Sequence, residues 1–250
     1  MLKALYTIYY WLIAVPLFVL STILFSLLTM VGCFFFGKGV FAYYPGKWWS
    51  MVACALFLCP VKVYGKENLP ERNKPLVIMA NHQGAMDIFM IYARIGRPFR
   101  WVMKASLRKV PFMGRACATA GFIYVDEHNP ASIKETLRSA GDVLAKGVSI
   151  AIFPEGHRTE TGNMLRFKKG GFVMAQELGV PILPVTLEGS FDALRKGKWQ
   201  IKPTRLTMTI HPLYTIDQSE PYPRNIVRAV SDVRSIIEAP LKKDVPLNNE

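Results

Sequence analysis

From Lys3 to Lys38 no charged side chain interrupts the chain. As one helix those roughly 34 residues would reach about 51 Å at ~1.5 Å per residue, against a hydrocarbon core of ~30 Å. The run is therefore longer than one simple membrane span. Pro16 is placed to kink it, and Tyr6, Tyr9, Tyr10 and Trp11 gather near its start as an interfacial aromatic cluster. A cleaved signal peptide fits poorly, because such apolar regions usually stop at about 7–15 residues. A second uncharged run, Trp48 to Val61, is too short to span and fits an interfacial or re-entrant helix. Tyr43-Tyr44-Pro45-Gly46 separates the two runs. Residues 1–60 thus read as an N-terminal, membrane-embedded helical hairpin.

From Val61 onward the pattern changes to short apolar runs alternating with helical periods. Val61–Tyr64, Pro75–Ala80, Phe99–Met103, Gly121–Val125, Val148–Phe153, Val180–Leu187 and Leu206–Ile210 read as strands. Helices are predicted from Asp87, from Pro130 with Asn129 as N-cap, and over Gly171–Leu178. A last amphipathic helix carries Ile226, Val230, Val233 and Ile237 and is expected to close at Pro240. Strand–helix alternation predicts an α/β domain over residues 61–250, a mixed central sheet flanked by helices.

Composition sharpens the picture. Hydrophobic residues make up 51% of the chain and the formal charge is +13. Such a charge suits nucleic acid, anionic lipid or a phosphorylated substrate. Residues 1–60 contain Lys3, Lys38 and Lys47 with no acidic residue, in an apolar context. That arrangement argues for an anionic phospholipid membrane and against nucleic acid. Lys38, Lys47, Lys62 and Lys66 follow the first apolar run, against Lys3 before it. The positive-inside bias then places the rest of the chain on the cytosolic face of the cytoplasmic (inner) membrane. Cys33, Cys54, Cys59 and Cys117 form no C-x-x-C pair, and His82, His128, His157 and His211 are scattered. Buried thiols in a reducing compartment and no metal site are the expectation.

The candidate chemistry starts at Asn81-His82-Gln83-Gly84-Ala85-Met86-Asp87, just after the strand ending at Ala80. On one continuous helix His82 and Asp87 would diverge by roughly 140°. They can meet if His82 lies on the loop and Asp87 in the first turn of the next helix. The carboxylate could then hold one imidazole nitrogen while the other accepts a proton from a hydroxyl. A helix-capping aspartate beside an ordinary loop histidine is the plainer alternative.

A second stretch, Phe153-Pro154-Glu155-Gly156-His157-Arg158-Thr159, again follows an apolar strand. The two together resemble the glycerolipid acyltransferases, specifically the 1-acylglycerol-3-phosphate (lysophosphatidate) acyltransferase family. Gly121–Glu127 and Val180–Val185 resemble two further blocks, so the resemblance covers roughly residues 60–215. The family usually reads N-H-x-S-x-x-D, G-x-I-F-I-x-R and F-P-E-G-T-R-S; here Gly84, Glu127 and His157 depart from it.

The resemblance implies acyl transfer from a thioester, acyl-CoA or acyl-carrier protein, to the sn-2 hydroxyl of lysophosphatidic acid, with no cofactor. It assigns His82 as general base and Asp87 as its orienting partner. Lys104 and Arg158 are the expected phosphate contacts, Lys104 replacing the basic group missing at Glu127. Glu155 is expected to bind substrate, accepting hydrogen bonds from the acceptor's hydroxyl or positioning a cation, and Gly156 to allow a close oxyanion-type approach. Acylation of glycerol-3-phosphate or another lysolipid, and a non-catalytic anionic-membrane protein on the same scaffold, are the alternatives. Arg195, Lys196, Lys198, Lys202 and Arg205 surround Trp199, either as a solvated basic loop or as a headgroup-facing patch.

Overall fold

In the computed structural model, which describes residues 2–126 and 130–242, the described residues form one seven-stranded sheet. Its strands are β1 (Val61–Tyr64), β2 (Val77–Ala80), β3 (Phe99–Lys104), β4 (Ile123–Val125), β5 (Ser149–Ile152), β6 (Ile182–Glu188) and β7 (Leu206–Ile210). Their order is β1-β7-β6-β2-β5-β3-β4. The five strands β6, β2, β5, β3 and β4 run parallel, while β7 is antiparallel to β6 and β1 follows β7. The sheet is mixed, as the alternation predicts. Both faces are covered, which is why β2 is buried throughout and β6 nearly so.

Pro184 does not interrupt β6. Its carbonyl accepts from the His211 N–H, past the end of β7 at Ile210, so its missing donor faces an irregular stretch and costs no ladder bond. The C-terminal ends of the five parallel strands share one edge, where open α/β sheets place their ligands.

One 35-residue helix, Leu2–Phe36, opens the chain. It consists of α1 (Leu2–Tyr9), a π-helical segment Tyr10–Ala14, and α2 (Val15–Phe36). Pro16 therefore breaks nothing; the π segment lies just before it, where a missing N–H disturbs the hydrogen-bond ladder. The helix is apolar on the wrong side for a soluble protein. Ser21, Ser26, Thr29, Gly32 and Cys33 are buried, while Leu17, Leu20, Leu24, Leu27, Val31 and Phe34 are exposed. An outward face richer in large apolar groups than the packed face fits lipid as its surroundings.

α2 packs on α3 (Tyr44–Leu56) and α5 (Met113–Ala120), and α3 packs on α4 (Met86–Arg94). The main core crosses residue 60: Tyr10, Ala14, Tyr43, Ala53, Cys54 and Phe57 join Ile78, Met90, Phe99 and Leu187 in one cluster. Pro45 and Gly46 were expected to break the chain but lie in the first turn of α3, where proline loses no helical bond. The break falls earlier, over residues 37–43. The remaining helices are α6 (Pro130–Leu144), α7 (Gly170–Glu177), α8 (Ser190–Ala193) and α9 (Arg224–Leu241). α9 runs through Pro240 to Leu241. The predicted cap Asn129, and Glu127, lie outside the described residues.

Candidate active site

The chain leaves the sheet after Ala80 by replacing the next rung of the ladder with a side chain. Asn81 is fully buried; its Nδ2 donates to the Leu187 carbonyl and its Oδ1 accepts the Leu187 N–H, both at 2.8 Å. A side-chain amide carries one donor and one acceptor in peptide-like geometry, so it pairs with β6 while its own backbone turns away.

His82 follows on the loop, and Asp87 sits in the first turn of α4. Asp87 Oδ2 gathers three donors: His82 Nδ1 at 2.8 Å, the Gln83 N–H at 2.7 Å and the Gly84 N–H at 2.8 Å. The carboxylate is fully buried and the imidazole mostly so. Holding Nδ1–H on the carboxylate leaves the Nε2 lone pair as the basic site. Asp87 Oδ1 is buried without a hydrogen-bond partner among the described residues. The imidazole stacks on Phe153, centroids 3.9 Å apart and planes within 7°, and Trp101 lies on Phe153 at 5.0 Å. The ring is fixed on its edge by Asp87 and on its face by an aromatic stack.

The loop 153–159 also grips the His82 backbone. Glu155 Oε1 accepts the His82 N–H at 2.6 Å, and the Thr159 N–H donates to the His82 carbonyl at 3.1 Å. Glu155 Oε2 takes the Leu165 N–H at 2.7 Å, so both carboxylate oxygens hold main chain. Burial pushes the Glu155 carboxyl up to about 7, although its two backbone hydrogen bonds pull the other way. Thr159 is itself buried, and its Oγ1 caps the next turn by accepting from Thr161 and Gly162 N–H. Asn81, Phe153 and Thr159 stand within the two recognised stretches, but their type and spacing alone assign them no contact.

Gly156 takes φ +79° and its N–H closes a turn on the Phe153 carbonyl at 3.0 Å. A side chain there would start 2.8 Å from Lys168 Nζ. The close approach expected at Gly156 is thus made by an ammonium, and its amide is already occupied. Arg158 is half-buried and forms no ion pair among the described residues; His157 is exposed, with Nδ1 3.3 Å from the Arg158 carbonyl. Lys104 is exposed at the C-terminal end of β3, on the same sheet edge as the two loops. Beside Glu155 an open pocket of about 500 Å³ is lined by His157, Leu165, Arg166, Phe167, Lys168 and Lys169.

Gly84, the departure from the family's serine, has a local cause. A Cβ there would stand 2.4 Å from the Ser190 carbonyl oxygen and 2.5 Å from Ser190 Oγ. The first turn of α8 fills the space that a residue-84 side chain would need.

The acyltransferase family profile matches residues 60–188. The chain belongs to the acyltransferase family. Among relatives of this acyltransferase-family chain, a 1-acyl-sn-glycerol-3-phosphate acyltransferase of Chlamydomonas reinhardtii is 31% identical over 80% of this chain and 59% of its own length. The chloroplastic LPAT1 of Arabidopsis thaliana, of the same description, is 32% identical over 63% of this chain and 44% of its own length. The chain thus spans about half the length of these two relatives. A protein so described in Borreliella burgdorferi is 31% identical over 73% of this chain and 74% of its own. The crystal structure of the 1-acyl-sn-glycerophosphate (LPA) acyltransferase PlsC from Thermotoga maritima superposes with a TM-score of 0.76 at 23% identity, covering 97% of both chains. At that identity the likeness establishes the fold.

Proposed function

We propose that this protein is a membrane-bound 1-acyl-sn-glycerol-3-phosphate O-acyltransferase. It moves an acyl chain from acyl-CoA or acyl-carrier protein to the sn-2 hydroxyl of lysophosphatidic acid, releasing phosphatidic acid and a thiol. The observation that carries this reading is His82 Nδ1 held 2.8 Å from Asp87 Oδ2 at the sheet edge, in a chain whose relatives bear that description.

In the proposed mechanism His82 Nε2 takes the proton of the acceptor hydroxyl as its oxygen attacks the thioester carbonyl. Asp87 stays ionised, held by two backbone N–H groups, and stabilises the imidazolium that forms. Collapse of the tetrahedral oxyanion breaks the carbon–sulfur bond, and the imidazolium returns its proton to the departing thiolate. A thioester is already activated, so the alcohol stands where a hydrolase triad has its serine. Arg158, with its planar fork, and Lys104 are assigned to the acceptor's phosphate. The outward apolar face of Leu2–Phe36 is assigned to the membrane, with the sheet edge at its cytosolic surface.

A panel of acceptors presented to the purified protein tests this. Lysophosphatidic acid should give the highest kcat/KM, ahead of glycerol-3-phosphate, lyso-ornithine lipid and a choline lysolipid. Preference for another acceptor moves the substrate assignment; no transfer at all, with vesicle binding intact, leaves a non-catalytic membrane protein.

A further inference from the structure

Trp199 is 83% exposed, the most exposed large aromatic side chain among the described residues. It stands in the basic loop between α8 and β7, with Arg195, Lys196, Lys198, Lys202 and Arg205 around it. Lys196 is paired with Glu160 at 2.6 Å and Arg195 lies 3.8 Å from Asp192. Lys198, Lys202 and Arg205 are exposed and have no ion pair among the described residues.

A loop that merely wagged in water would not be fastened as this one is. Tyr10 Oη donates to the Trp199 carbonyl at 2.6 Å and Tyr6 Oη to the Ile201 carbonyl at 2.8 Å. Gln200 Nε2 donates to Thr7 Oγ1 at 3.2 Å, and the Lys202 N–H closes the loop's base on the Ala193 carbonyl at 2.8 Å. The contacts of Trp199, Gln200 and Ile201 go to the first turns of the apolar helix, whose exposed large apolar side chains there are Leu2, Leu5, Ile8, Trp11 and Leu12. The backbone is held against an apolar element while the indole is left bare beside unpaired cations. An indole with a polar N–H on an apolar body suits the headgroup level of a bilayer, and lysines beside it suit anionic lipid.

We propose that residues 195–205 form a second membrane contact, separate from the apolar helix: Trp199 enters the headgroup region of an anionic phospholipid bilayer while Lys198, Lys202 and Arg205 meet lipid phosphates. The proposal rests on the membrane-bound part of the reading above. Its occupant is a lipid surface because charge alone would also suit an acidic protein, whereas a bare indole tied to an apolar helix face suits lipid. The loop emerges from α8, which follows β6 at the edge that carries His82 and whose first turn lies against Gly84. Anchoring it would turn that edge toward the leaflet that supplies a lipid acceptor.

The full chain is reconstituted in vesicles of phosphatidylcholine, with or without phosphatidylglycerol. The emission of Trp199 is taken as the difference between wild type and Trp199→Phe, which separates it from Trp11, Trp48, Trp49 and Trp101. On anionic vesicles this difference emission should shift to the blue, and lipids brominated high in the acyl chain should quench it. Lys198→Glu with Lys202→Glu should weaken that quenching on anionic vesicles, while the apolar helix keeps the chain on the bilayer. A bilayer-bound, folded protein whose Trp199 stays open to aqueous quencher and untouched by brominated lipid overturns the proposal and leaves the reading of a membrane-bound enzyme standing. Shielding of Trp199 by added acyl-carrier protein, without lipid quenching, overturns it in favour of a protein partner. Failure of the whole chain to stay with any vesicle overturns the membrane reading itself.

Discussion

Glu155 holds His82 by its main chain, accepting the His82 N–H on Oε1 at 2.6 Å while Oε2 takes the Leu165 N–H at 2.7 Å. The base is thereby positioned twice: its ring by Asp87 and its backbone by a carboxylate 73 positions later. Removing that carboxylate strands two amide donors, each at a cost of about 1–3 kcal/mol if left unsatisfied. Glu155→Ala should lower Tm and cut kcat more than it raises KM, because His82 loses its place. Full kcat with only a lower Tm would reduce Glu155 to a purely structural strut.

The same residue predicts a pH dependence. Folded protein keeps the Glu155 proton up to about pH 7, against an ordinary value of 4.5. Within that window the native state binds more protons than the unfolded state, so this group's stabilisation falls as pH rises and levels off above about 7. Denaturant titrations of wild type and Glu155→Gln at intervals across the window should differ in slope, the variant lacking this fall. Parallel curves would mean that Glu155 is ionised throughout.

Restoring the family's own serine at position 84 should do harm. Gly84→Ser drives a Cβ to 2.4 Å from the Ser190 carbonyl, and overpacking of this kind costs about 1–3 kcal/mol. Thermal denaturation should show a clear drop in Tm. An unchanged Tm would mean that α8 yields freely there.

Arg158→Ala should raise KM for the phosphorylated acceptor more than for the acyl donor, with Lys104→Ala acting in the same direction. Steady-state kinetics with an otherwise matched phosphate-free acceptor is the check: equal losses on both acceptors would remove the phosphate role.

A chain beginning at Val61 should lose more than its hold on lipid. Tyr10, Ala14, Tyr43, Ala53 and Phe57 share one core with the sheet, so removing them uncovers Ile78, Met90 and Phe99. Circular dichroism and sedimentation with vesicles should show a poorly folded protein without bilayer activity. A folded fragment with full activity on bilayer lipid would show those helices to be dispensable.

The inner strands β2, β5 and β6 were legible because each is a short, near-continuous apolar run, as buried parallel strands are, and β1 and β7 because they alternate. The loop-then-helix placement of His82 and Asp87 followed from helix geometry and the glycine between them. The helix α5 was not legible: Met113-Gly114-Arg115-Ala116-Cys117-Ala118-Thr119-Ala120 is short and mostly small side chains, and it folds against α2, where Ala120 joins Cys33, while Gly114 lies against the Arg108 carbonyl. Nor could sequence show what Glu155 binds, since its partners are backbone amides, one from the loop after β2 and one ten residues on in its own loop. The Asn81–Leu187 pairing and the Gly84–Ser190 contact join positions 106 apart in the chain and depend on β6 lying beside β2. Pro45 and Gly46 misled because a first helical turn tolerates the same residues that break a helix interior.

The central claim is that His82, oriented by Asp87, removes the acceptor's proton. Its most direct test is thiol release by vesicle-reconstituted His82→Ala, at saturating acyl donor and lysophosphatidic acid, with wild-type folding verified by circular dichroism. Turnover should fall at least ~10²-fold, the lower range for general acid–base catalysis. A folded His82→Ala protein that releases thiol at close to the wild-type rate would contradict the mechanism.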